Sequence, residues 1–277
     1  MSTAPGLSLT ETDDPLRYAF VEMLFALAIS QVAVHAADLT TVRWDSVRDV
    51  AAAWIHLALS LLVIGASWIG WRQSQSPGIK AQIESIFSRR AVGLLLDVIL
   101  VILYFVLVRS VELQQENGVV TLTTPSASND ALWISSIFAV YVVWDLFADV
   151  FAPESLTDKG PRMLWQGVRV ALASAAASGI CLLMALFVFT RATNVSDPVR
   201  VALYDGSLIA LVLFFRAAKV FEKPLADVLG VGACKAFASP RISAKRPFRL
   251  AMTLLLAGVI FLAMAENWVS LAAAIPR

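Results

Sequence analysis

Cysteine, histidine and charge are all scarce in this chain, and each scarcity removes a class of function. There are two cysteines, Cys181 in an apolar stretch and Cys234 in an expected loop. Neither has a partner nearby in sequence, so they give no disulfide framework and no zinc motif. The two histidines, His35 and His56, are too few for a metal cluster and match no ligand spacing, so neither metal nor cofactor is expected. Charged residues make up 16% of the sequence, against about 25% in a soluble domain. With a net charge of +1 and no basic stripe interleaved with aromatics, nucleic acid is excluded as a partner. A glycine-flanked serine, a phosphate loop and a His-rich cluster are also absent, and an enzyme is not expected. No apolar stretch has a central proline, and Gly179 and Gly258 stand alone within theirs. That counts against the broken helices of secondary transporters.

What the chain does have is apolar length. It is 58% hydrophobic with a mean hydropathy of +0.74. Seven stretches approach the roughly 20 apolar residues a spanning helix needs: 16–36, 50–71, 91–111, 131–152, 168–191, 201–221 and 249–269. None alternates apolar and polar residues as barrel strands do. The expected fold is all-α, a polytopic membrane bundle of seven transmembrane helices over 16–271, with short tails at 1–15 and 272–277. The first stretch is expected to remain a helix and not to act as a cleaved signal. Glu11, Asp13 and Asp14 precede it, where a signal has basic residues.

Lysine and arginine set the orientation. Arg72, Lys80, Arg89 and Arg90 follow the second stretch, Lys159 and Arg162 the fourth, and Lys223, Lys235, Arg241, Lys245 and Arg246 the sixth. The alternate connections hold Arg43, Arg48 and Arg200. The N-terminus is expected inside and the C-terminus outside, in a bacterial inner membrane. Trp54, Trp133 and Trp268 then mark outer ends, and Trp68, Trp71 and Trp165 inner ends. Residues 112–130 read as a flexible external loop, and 79–90 as a short helix on the inner leaflet. The small residues of 173–179 suit close helix packing.

Charges inside the stretches carry the functional signal, because an intramembrane ionisable group has an insertion cost. Asp205, Arg216 and Lys219 of the sixth stretch fall within about 60° of one helical face. Tyr141, Asp145 and Asp149 of the fourth share a face at four-residue spacing. Both stretches run outside to inside, so the acids of one reach the depth of the bases of the other and are expected to pair. Glu22 begins a small, weakly polar stripe through Ala26, Ile29, Ser30 and Ala33. Asp97 shares its face with Tyr104. His35 lies near the outer boundary, where solvent exposure is expected.

Residues 17–29, Arg17-Tyr18-Ala19-Phe20-Val21-Glu22-Met23-Leu24-Phe25-Ala26-Leu27-Ala28-Ile29, with 59–68 after them, resemble the first two helices of the endolysosomal potassium-channel family and its bacterial relatives. Arg17 and Phe20 stand near the family's Arg…Phe signature, and Val21 and Glu22 replace its Ser-Asp. The resemblance implies an N-terminus inside and a first helix lining a pore with a hydrophobic constriction. Ile29 and its neighbours would form that constriction, with copies assembled about an axis and no carbonyl filter loop. Three functions follow as expectations: an oligomeric cation channel, which could depolarise its membrane as an effector; a proton- or ion-coupled transporter using Glu22, Asp97 or Asp205; and a non-conducting scaffold. The lipid bilayer, small ions and further copies of the chain are the expected partners.

Overall fold

A computed structural model describes residues 15–41, 47–74, 89–110, 113–116, 119–122, 125–146 and 161–220. The seventh apolar stretch, residues 79–88 of the helix expected at 79–90, and Asp149 lie outside the described residues, while Arg89 and Arg90 open the third helix. The described residues form six helices: α1 (Pro15–Thr41), α2 (Val47–Ser74), α3 (Arg89–Val108), α4 (Ala127–Asp145), α5 (Pro161–Ala192) and α6 (Pro198–Val220). A helix satisfies its own backbone polar groups, which is what an apolar surround demands of these stretches. Five of the six, all but α4, are long and apolar enough to cross a membrane. The chain is a multi-pass helical membrane protein.

Successive helices run antiparallel, as contacts between their ends show. Glu22 near the start of α1 meets Arg72 near the end of α2. Ser110, just past α3, bonds Asp130 in the first turn of α4. Tyr204 early in α6 donates to the carbonyl of Arg191 at the end of α5. The α5–α6 turn holds Asn194 at φ 68°, a left-handed conformation that asparagine tolerates better than most residues. Pro198 opens α6, where its missing N–H costs no helical bond.

α4 misses the five for a physical reason. Its first turn holds Ser128, Asn129 and Asp130, too polar for lipid. It packs against α3, α5 and α6 and still turns Leu132 and Val143 outward. Ser126 caps it, so the helix begins ahead of the expected 131.

Part of the expected flexible loop is ordered. Strands β1 (Leu113–Glu116) and β2 (Val119–Leu122) form an antiparallel hairpin, with Glu116 opposite Val119. The dipeptide between them, Asn117-Gly118, is the sequence that two-residue hairpin connections favour.

One apolar core runs through the bundle, with Tyr104, Tyr204, Phe138, Leu57, Ile64 and Leu208 among its fully buried side chains. The outer surface carries large apolar residues such as Leu95 at 57% and Leu183 at 68% exposure, as lipid requires.

Candidate functional site

The polar residues of α2, α4 and α6 form inward stripes of one design: polar, apolar, polar. On α4 the stripe is Asp130, Ile134, Phe138, Tyr141, Asp145. On α6 it is Asp205, Leu208, Val212, Arg216, Lys219. On α2 it is His56, Ser60, Val63, Ser67, Gly70. All steps are three or four residues, so each set stays on one helical face. Asp130 to Asp145 spans about 22 Å at 1.5 Å per residue, less than the roughly 30 Å hydrocarbon core.

At one end His56, Asp130 and Asp205 come together, each fully buried. One ligand-type atom from each lies within 4.8 Å of the others. His56 Nδ1 is 2.7 Å from Asp130 Oδ2. Ser110 donates to Asp130 Oδ1 at 3.0 Å and lies 3.3 Å from His56 Nε2. Asp130 also sits in the first turn of α4, where the helix dipole favours a carboxylate. Asp205 is different: neither of its oxygens has a hydrogen-bond donor among the described residues. A buried carboxyl facing a second carboxyl needs a proton or a cation to offset the repulsion.

At the other end Lys219 donates to Asp145 Oδ1 at 2.5 Å. Ser178 of α5 donates to the second oxygen, Asp145 Oδ2, also at 2.5 Å. Lys219 is further bonded to Ser174, and its ammonium stands 5.5 Å from the Phe215 ring centroid. This is the pairing of the fourth and sixth stretches expected from the sequence, realised at Asp145 and Lys219. The small-residue run of α5 therefore does more than allow close approach, since its two serines complete the pair. Arg216 departs from the expectation. It bonds Gln73 Oε1 of α2 at 2.7 Å, and its guanidinium crosses Gly70 so closely that an added Cβ would lie 2.9 Å from Nη1.

Between the two ends lie a hydroxyl relay and an apolar layer. Ser67 donates to the Val63 carbonyl at 2.7 Å, so Tyr141 donates to Ser67. Tyr104 in turn donates to Tyr141 at 3.0 Å. Tyr141 is one turn from Asp145, which ties the relay to the lysine end. Toward the His56 end the packing becomes apolar. Phe138 and Phe215 meet edge to face at 5.2 Å, and Tyr141 lies 5.1 Å from Phe215. Ile134, Leu208 and Val212 continue the layer, all buried. Ser60 is buried within it, its hydroxyl without a partner among the described residues.

Comparison with family models, with curated proteins and with solved structures finds no match.

The remaining expected residues fall elsewhere. Glu22 forms a 2.9 Å bridge to Arg72, with both side chains about half exposed. Phe20 and Ile29 are exposed on opposite sides of α1, at 41% and 39%. Arg17 lies on α1, with its side chain outside the described residues. Asp97 is buried on α3, at 8% exposure. His35 is buried rather than solvent-exposed, and bonds Gln31 of the same helix at 3.0 Å. The expectation that the histidines join no cluster also needs correcting. His56 does, because the fold supplies the carboxylates that the histidine count omits.

Proposed function

We propose that the protein passes small cations across a bacterial inner membrane along the seam between α2, α4 and α6. The observation that carries this reading is the repeated polar–apolar–polar stripe. Two helices, α4 and α6, place ionisable groups at both ends of one buried line, α2 adds His56 at one of those ends, and an aromatic-aliphatic layer lies between them. Ionisable side chains inside membrane helices face protein or water, and they mark ion and proton pathways. Apolar constrictions gate such pathways by excluding water. Phe138, Phe215, Leu208 and Val212 form the closed gate. Asp145 and Lys219, with Arg216 beside them, set the field at the basic mouth. An opening that runs freely would depolarise the membrane, which fits an effector role.

A second reading is an oligomeric pore lined by α1, as the family resemblance implies. It is favoured by the exposed apolar row Phe20, Met23 and Leu27 on α1, which neighbouring copies would cover; Ile29 is exposed on the opposite side of that helix. A coupled transporter would share the seam but would require a second gradient.

The test is flux of potassium, sodium and protons in liposomes. Val212 lies on the α6 face between Asp205 and Lys219, and Val212→Thr adds a hydroxyl to the gate with little change in shape. It is expected to raise voltage-driven flux several-fold, while Ile29→Thr leaves flux unchanged. The reverse pattern would move the pathway to α1. Flux only under a second gradient would favour the transporter.

A further inference from the structure

We propose that His56, Asp130 and Asp205 form a binding site for one divalent transition-metal ion of the zinc or manganese class. The inference rests on this cluster's own geometry and holds whether or not the seam carries ions.

Three observations meet here. The first is proximity. The three groups come from α2, α4 and α6, and one donor atom of each lies within 4.8 Å of the other two. Metal–ligand bonds of about 2.0–2.2 Å put neighbouring ligand atoms about 3.3 Å apart. Small rotations of buried side chains on helix scaffolds close that difference. The second is the orphaned acid. Asp205 is fully buried, both oxygens lack a donor among the described residues, and it is aimed at the other two groups. A proton shared with Asp130 or a cation would satisfy a carboxyl at that point, and only a cation would also engage His56. The third is charge. Two carboxylates and a divalent ion sum to zero, which is the balance a water-poor site favours.

Ligand chemistry selects the class of ion. Imidazole with two carboxylates suits zinc, manganese, iron or cobalt, whereas magnesium and calcium take oxygen ligands alone. Ser110 is placed to orient the site from outside, touching Asp130 at 3.0 Å and His56 at 3.3 Å. Such outer hydrogen bonds commonly hold metal ligands in position. Asp130 lies one turn inside the end of α4, and Ser110 lies just past the end of α3, so the cluster sits at helix ends and not at mid-membrane. Bound there, the ion would pin three helices together at one mouth of the seam.

The experiment uses the full chain, purified in detergent without a histidine tag and stripped with a chelator. It is titrated with Zn2+, Mn2+, Co2+ and Mg2+. Bound metal is counted after desalting, and thermal midpoints are recorded in parallel. The expected result is one equivalent of transition metal per chain, a raised midpoint, and no comparable response to Mg2+. Asp205→Asn keeps the volume and removes the charge. It is expected to fold as well as the metal-free wild type, yet to bind at least tenfold more weakly and lose the metal-dependent rise. His56→Gln should lose the same response. The visible spectrum of Co2+ on the wild type gives a reading that needs no variant. Absence of transition-metal binding by the wild type would overturn the proposal and leave protons to fill the cluster. Unchanged binding by Asp205→Asn would overturn it too. Loss of ion flux, with metal binding intact, would count only against the cation pathway.

Discussion

Replacing Lys219 with methionine leaves Asp145 buried without its cation. The Asp145 side chain is 3% exposed and Lys219 is 16% exposed, so water can replace little of the lost contact. Removing one member of a buried ion pair costs about 3–5 kcal/mol. The bond from Ser178 to Asp145 at 2.5 Å survives the change, which places the cost at the lower end. At about 2–4 °C per kcal/mol for a chain near this size, a loss of about 3 kcal/mol lowers the unfolding midpoint by about 6–12 °C. Asp145→Asn is expected to cost less, because Lys219 can turn its ammonium toward the membrane surface. The double variant, Asp145→Asn with Lys219→Met, removes both charges and should recover most of the loss. Thermal unfolding in detergent of the wild type, both single variants and the double variant gives the coupling directly. Equal midpoints for all four would refute a buried pair at this position. A double variant worse than the sum of the singles would refute the claim that the cost is an uncompensated charge.

Two smaller perturbations probe the centre of the seam. Tyr141→Phe leaves the Ser67 and Tyr104 hydroxyls without their shared partner, and should cost about 1–3 kcal/mol as unsatisfied buried groups, read as a lower unfolding midpoint. Gly70→Ala places a methyl against the Arg216 guanidinium, a flexible end that can swing away. Stability should change by less than about 1 kcal/mol, while crosslinking of a cysteine pair at 73 and 216 reports the altered approach of α2 and α6.

Much of the basic end was readable before any coordinates. Asp145 and Lys219 lie on long apolar helices, where 100° per residue fixes the face and the direction of travel fixes the depth. Two helices running the same way therefore had to place acid beside base. Arg216 escaped that arithmetic because its neighbour is decided by side-chain reach. The guanidinium extends past α4 and settles over Gly70, where the missing side chain leaves room.

The His56 cluster was not readable in the same way. His56 and Asp130 are 74 residues apart, and Asp130 reads as the last residue of a polar loop until Ser126 is seen to start a helix there. A signal was present on α2, where His56, Ser60, Ser67 and Gly70 recur at helical spacing on one face. His56 and Asp205 both fall in the outer halves of stretches that run the same way, so their common depth was legible, but nothing in the sequence showed that α2 packs against α6. Asn117-Gly118 likewise announced a hairpin inside a segment whose serines and threonines read as loop.

Counting chains tests the central claim most directly. Liposomes are prepared with falling protein density, from several chains per vesicle to fewer than one on average, and the fraction that conducts potassium or protons under an imposed voltage is measured. A pathway through the seam of one bundle predicts a conducting fraction that follows single-chain occupancy and rises with Val212→Thr at every density. A fraction that vanishes as a higher power of density, with no response to Val212→Thr, would contradict it and place the conducting path between copies.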